Sequence, residues 1–385
     1  MMRRLLCFLC VAAMLAGFTP ACARAENTAA VPSVSAPSAV LMEKTTGTVI
    51  YEKNPKEHLF PASITKIMTM LLIVEDIEAG RLRLTDTVTA SKRASTFGGS
   101  CVYLEEGEQM SVDEMLKCIA VVSANDCAVA MAEHISGSEE VFVRRMNERA
   151  AELDLKDTHF TNCTGLFDDG RHYTSAYDVA LMSRELISHE MIKNYTTIWM
   201  DSIRGGEFGL SNTNKLAYWY SGCTGLKTGY TSTAGYCLSA TAERDGTEYI
   251  AVVMRSPSSD ARNADAMTML DFAFDHCRLC SLRSGEPLPR VRVDMGKEQY
   301  VWLEYGGEET ALLEKNSGEL SFEINAESVV GAPVKKGDRM GTATVKCGDK
   351  IVAALPLLAA DDVERMGFKE LIGLIGGGVV GLWCR

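Results

Sequence analysis

Apolar positions between residues 64 and 79 recur at helical spacing, with Ile67, Leu71 and Val74 on one stripe. They predict a helix that Pro61 opens, since its missing N–H would go unbonded there, and that Gly80 ends. Ser111-Val112-Asp113-Glu114 is a capping-box pattern, and Val112, Met115, Leu116, Ile119 and Ala120 form the stripe of the helix behind it. Helical patterns recur near 126–135, 139–153, 175–188 and 261–277. Residues 38–43 and 48–51, joined by Lys44-Thr45-Thr46-Gly47, read as a β-hairpin. Residues 236–242 and 249–254 read as strands turning at Asp245-Gly246. Helices and strands mixed in this order predict an α/β sandwich, not a repeat or a bundle.

Beyond residue 282 the texture changes. Short strand-like runs at 290–294, 300–305, 311–314, 320–324, 339–346 and 350–356, with Gly-rich turns between them, predict a small all-β domain. The run 371–383 carries no charge. As a helix its length of about 20 Å falls short of a bilayer core, so it reads as an interfacial anchor with Phe368, Leu371, Ile375 and Trp383 in the headgroup region.

At the other end, Arg3 and Arg4 precede an apolar run and an Ala23-Arg24-Ala25 cleavage pattern. Residues 1–25 are therefore expected to be a secretory signal peptide, and 26–37, rich in Ala, Pro, Ser and Val, a flexible leader. Cys22 lacks the preceding apolar residue of a lipoprotein site. The expected layout is a catalytic domain over 38–280, a β-rich domain over 281–360 and an anchoring segment over 361–385. Loss of Arg3, Arg4 and Arg24 takes the net charge from −12 to −15. So acidic a chain, without a basic run, is not expected to bind nucleic acid. Thirteen cysteines fall to ten in the mature chain, scattered rather than arranged as a disulfide scaffold. Cys277 and Cys280 form the single C-x-x-C of the mature chain; His276 adjoins it, but without a second pair it reads as helix-surface or buried thiols, not a zinc site.

Chemistry concentrates in three short motifs. Ser63 and Lys66 are three apart and share a helix face. A serine alcohol needs a neighbour to take its proton, and a lysine can do so only when neutral. Burial and the positive end of a helix both lower a lysine pKa. Ser123-Ala124-Asn125 falls where the capped helix ends, and Lys227-Thr228-Gly229 opens a strand-like run. Together these residues suit acyl transfer on a substrate ending in a free carboxylate. Ser63 attacks, Lys66 takes the proton, and Ser123 passes one to the leaving amine. Asn125 holds the substrate amide and orients Lys66. Lys227 and Thr228 meet the carboxylate, and Gly229 lets the substrate backbone lie against the strand. The backbone N–H groups of Ser63 and Tyr230 are the expected oxyanion donors. No cofactor or metal is expected.

Ser-x-x-Lys, Ser-x-Asn and Lys-Thr-Gly in this order resemble the penicillin-binding enzymes. The likeness extends to Pro61-Ala62, Asp126, Met146-Asn147, Thr164-Gly165-Leu166, Asn212-Thr213-Asn214, Gly225-Leu226, Tyr230 and Ala234-Gly235. Across roughly 38–277 the chain is similar to the D-alanyl-D-alanine carboxypeptidases, the low-molecular-mass penicillin-binding proteins. The resemblance implies a β-lactamase-like transpeptidase fold, with an antiparallel sheet flanked by helices and a small all-β domain after it. It also implies removal of the terminal D-alanine from peptidoglycan stem peptides, acylation by β-lactam antibiotics, and attachment to the outer face of the bacterial cytoplasmic membrane. Arg255 departs from the family, which usually has a small residue there. His172, in a Gly/Asp-rich loop near the family's cleft, is a further candidate for substrate contact.

Other readings stay open at this point. A D,D-endopeptidase would use the same residues, and a catalytically silent wall-binding protein would keep the fold. A class A β-lactamase would need a Glu-x-x-Leu-Asn segment, and no Leu-Asn pair occurs. There is no Gly-x-Ser-x-Gly elbow, and His189-Glu190 lacks the second histidine of a zinc protease.

Overall fold

Strand β1 (Ser38–Glu43) is buried along its whole length, and the reason is visible in its alternation. Val40 and Met42 point into one core, Ala39 and Leu41 into another. A computed structural model, described for residues 31–370 and 372, shows β1 inside a five-stranded antiparallel sheet, next to its edge strand. Its order is β2-β1-β5-β4-β3, with β2 (Val49–Lys53), β3 (Cys223–Thr231), β4 (Gly235–Arg244) and β5 (Thr247–Ser256). Register is set by pairs such as Val40 with Val252, Ala240 with Ala251, and Gly229 with Cys237. The hairpin at 38–51 and the turn at Asp245-Gly246 stand where the sequence places them.

One face of the sheet packs on α6 (Ser259–His276) through Leu270 and Ala273. Val34 and Ala36 join this core, and Asp265 accepts bonds from the Ser35 and Ala36 N–H groups. Residues 34–36 are thus docked, not part of a flexible leader. Their small apolar side chains fill the edge of a core that the sequence pattern leaves open.

The other face carries α1 (Lys66–Glu78), α2 (Val112–Val121), α3 (Asn125–Ser136), α4 (Glu139–Glu152) and α5 (Ala176–Leu186). The capping box of α2 is formed in both directions. Helix α1 departs from expectation. It does not begin at residue 64 but follows a 3₁₀ turn, Ala62–Thr65, and every side chain from Lys66 to Val74 is buried. An all-round apolar helix lies inside a domain, not on its surface. Its stripe was only the part facing one neighbour.

The second, β-rich domain has its own core around Val291, Val301, Ala343, Val345 and Leu357. It contains β6 (Cys277–Ser281), β7 (Val291–Asp294), β8 (Tyr300–Val301), β9 (Leu303–Tyr305), β10 (Thr310–Glu314), β11 (Leu320–Ala326), β12 (Val329–Gly331), β13 (Arg339–Cys347) and β14 (Lys350–Ala359). The 300–305 run splits at Trp302, because its first half pairs with β7 and its second with β14. Cys277 and Cys280 lie on β6, not on a helix, and β6 pairs with β10. The second domain therefore recruits residues from 277 onward, and the expected boundary at 280 falls inside a strand. At its far end Val363 is buried and bonded to Val334, and Met366 N–H donates to Met295. The packed chain thus runs past 360. The expected signal peptide, and all of the tail run 371–383 except Ile372, lie outside the described residues. The nine cysteines among the described residues are free thiols.

Candidate active site

The 3₁₀ turn brings Ser63 to the rim of the helical core with Lys66 directly beneath it. Lys66 is fully buried, and its Nζ has three neighbours: Asn125 Oδ1 at 2.5 Å, Thr164 O at 3.0 Å and Ser63 Oγ at 3.0 Å. Two of these are carbonyl oxygens that can only accept. An uncharged amine has two N–H bonds for them and one lone pair left, which faces the serine hydroxyl. Burial pushes the Lys66 pKa down to about 7, against smaller upward pulls from Cys163, Cys101 and Asp126.

The nucleophile turn is braced from behind. Ala62 adopts a left-handed φ of 49°. Its carbonyl accepts from Thr65 Oγ1 at 2.8 Å, and Thr65 Oγ1 lies 2.8 Å from His172 Nε2. The Thr161 N–H donates to His172 Nδ1, so the ring carries its proton on Nε2 and donates to Thr65. Burial lowers the His172 pKa to about 4, keeping it neutral. His172 is buried with both nitrogens engaged, so it supports the turn and is not placed to meet substrate. Gly165 completes the brace. A Cβ there would stand 1.8 Å from the Ala62 carbonyl oxygen, so no side chain is possible without moving the turn.

Ser123 stands in the loop between α2 and α3, two residues before Asn125. It has a left-handed φ of 63°, and its buried Oγ has no hydrogen-bond partner. A buried hydroxyl without a partner is uncommon and costly, and such groups cluster where a ligand completes them. Asn125 orients Lys66 as expected, but its Nδ2 donates to Gly98 O at 2.7 Å. That uses one of the two Nδ2 N–H bonds and leaves the other without an acceptor among the described residues, open to a substrate amide.

Strand β3 is the edge of the sheet, so one side of its backbone is open to pairing. Lys227 is buried on it, and burial, with the charges of Lys66 and Arg262, holds its pKa well below the usual lysine range. Arg262, at the start of α6, is buried too and has no acidic partner within salt-bridge reach among the described residues. Thr228 Oγ1 donates to Thr213 Oγ1 at 2.7 Å. Gly229 has a structural use besides the one expected for substrate. Its Cβ position lies 2.8 Å from Pro61 O and 3.1 Å from Ile64 N, so the missing side chain lets β3 close on the nucleophile turn. The Tyr230 ring is exposed and packs on Tyr236 at 4.3 Å.

The three motifs thus meet: Asn125 bonds Lys66, and Gly229 closes on the turn that carries Ser63. Sequence reasoning missed Arg262, Thr164, Thr213 and the supporting role of His172. Thr164 and Thr213 lay within segments of the family likeness, whereas nothing near Arg262 marked it. Arg255, the departure from the family, has a left-handed φ of 61° and lines a surface cavity with Phe60, Asp168 and Ala234.

Comparison with known proteins agrees with this arrangement. The D-alanyl-D-alanine carboxypeptidase family matches residues 25–258, and the penicillin-binding protein 5 C-terminal domain matches 281–365. The chain belongs to the D-alanyl-D-alanine carboxypeptidase family. It is a serine-type carboxypeptidase of the penicillin-binding protein 5 kind. It is 42% identical to D-alanyl-D-alanine carboxypeptidase DacF of Bacillus subtilis, over 95% of this chain and 96% of that one. Identity to DacC of Escherichia coli is 32%, over 91% and 90%. Penicillin-binding protein 5 from Haemophilus influenzae superposes with a TM-score of 0.78 at 28% identity, covering 91% of this carboxypeptidase and all of that chain. Penicillin-binding protein D2 from Listeria monocytogenes, solved in its ampicillin-bound form, is similar over 63% of this chain and 98% of its own, with 28% identity and a TM-score of 0.58.

Proposed function

We propose that this carboxypeptidase removes the terminal D-alanine from peptidoglycan stem pentapeptides through an acyl-enzyme on Ser63. The observation that carries the reading is the buried Lys66 amine 3.0 Å from Ser63 Oγ, its pKa lowered by burial to about 7. Lys66 takes the hydroxyl proton as Ser63 attacks the carbonyl of the penultimate residue. The unpartnered Ser123 hydroxyl gives its proton to the departing D-alanine amine and is reprotonated by the Lys66 ammonium, and water then cleaves the Ser63 ester to free the shortened peptide. Ser63 and Tyr230 N–H groups bind the oxyanion, each such donor contributing about 10²–10³ in rate. The substrate's carboxylate is drawn to Lys227, Thr228 and Arg262. A buried guanidinium and a buried amine, neither with an acidic partner among the described residues, favour an anionic ligand that would hold the amine protonated. β-Lactam antibiotics acylate the same hydroxyl.

Mature protein incubated with a pentapeptide ending in D-Ala-D-Ala should release free D-alanine and nothing from within the peptide. Release confined to cross-linked dimers would replace this reading with an endopeptidase.

The chain acts outside the cell, held at the membrane surface by its last residues. Phe368 and Ile372 are exposed where the described chain ends. Among the described residues no helix is long and apolar enough to cross a membrane. Truncation after Met366 should give a soluble protein with unchanged carboxypeptidase activity. Full-length protein found wholly in the aqueous fraction would end the anchoring idea.

A further inference from the structure

Away from the cleft, Glu75 and Glu78 stand one turn apart near the end of α1, Glu185 lies in the last turn of α5, and His189 follows it. One ligand atom each from Glu75, Glu185 and His189 lie within 4.8 Å of one another. All three are held from behind. Glu78 Oε2 is 2.6 Å from His189 Nδ1. A carboxylate can only accept, so in the neutral imidazole the proton sits on Nδ1, and Nε2 keeps its lone pair. That Nε2 is buried and has no hydrogen-bond partner. From α4, Arg149 donates Nε to Glu75 Oε1 at 2.8 Å and Nη2 to Glu185 Oε1 at 2.6 Å. The Oε2 atoms of both carboxylates are left without a protein donor among the described residues. Arg149 also meets Glu152, so these contacts set four carboxylates against one guanidinium.

We propose that Glu75, Glu185 and His189 bind a first-row divalent cation, with Glu78 and Arg149 orienting the ligands. Two carboxylate oxygens and one imidazole nitrogen suit zinc or a neighbouring metal, with water filling the remaining positions. A carboxylate behind the histidine is the usual outer partner of such a ligand. The excess negative charge favours a dication, and the three side chains are 21%, 34% and 17% exposed, so an ion enters from solvent. It ties α1 to α5. Glu75 is twelve residues along from Ser63, roughly 18 Å at helical rise, so the ion acts on stability and not on acyl transfer.

The test uses mature protein stripped by a chelator, then titrated with Zn²⁺ and separately with Co²⁺, followed by calorimetry, absorbance and thermal unfolding. One saturable site is expected, without a thiolate-to-cobalt charge-transfer band, and Tm should rise with metal. His189→Gln should lower affinity at least tenfold, and Glu78→Gln roughly 10–100-fold. Penicillin acylation by both variants should stay within twofold of wild type. Should His189→Gln fold poorly, Glu185→Gln supplies the same comparison. Absence of saturable binding, a thiolate band, or equal affinity in wild type and variants would overturn the proposal.

Discussion

Replacing Ser63 by alanine should abolish both D-alanine release and the penicillin adduct while leaving the fold intact. The hydroxyl sits at the rim of the cleft, and without it Lys66 still has Asn125 Oδ1 and Thr164 O as partners. No buried group loses its only bond, so Tm should move little. The rate should fall on the order of 10⁴–10⁶, the scale on which a nucleophile's removal is felt in serine hydrolases. Mass spectrometry after exposure to benzylpenicillin gives the readout: an added penicilloyl mass on wild type and none on Ser63→Ala. A stable adduct on the variant would assign the nucleophile elsewhere.

Lys66→Arg should fold yet acylate about 10²–10⁴-fold more slowly, the usual worth of a general base. A guanidinium stays charged at any workable pH and has no lone pair for the serine proton. Near-normal labelling of this variant would remove the lysine-base mechanism. The same argument sets the pH profile of the wild type. The active form is the neutral amine, and with a pKa of about 7 its population rises with pH. Acylation should climb about tenfold per unit below pH 7 and level off above it. A flat profile between pH 5 and 8 would show that some other group takes the proton.

Much of the fold was legible because its periods are local. Val40 and Met42 against Ala39 and Leu41, or the box from Ser111 to Glu114, depend only on near neighbours. Helix α1 misled for the same reason: a stripe shows that one face is buried but not that the other is buried as well. The split at Trp302 and the docking of residues 34–36 depended on partners far along the chain. In the site, Ser63, Lys66, Ser123 and Lys227 were recognisable by type and order. Gly229 was picked out for its missing side chain, but its second use, letting Pro61 and Ile64 approach, needed the tertiary structure. His172 stood out as a histidine near the cleft, yet both its nitrogens turn inward to Thr65 and Thr161.

By itself the sequence determined which chemistry is possible here, because an alcohol, an amine and an anion-seeking triplet are properties of residues and their order. Whether that amine is neutral was a matter for the tertiary structure. Burial sets the Lys66 pKa, and the carbonyls that take its protons come from Asn125 and Thr164, each on a different segment. The same holds for Glu75, Glu185 and His189, which no spacing rule connects. Their ligand atoms meet only once α1, α4 and α5 have packed, since convergence in space leaves no mark on a one-dimensional string.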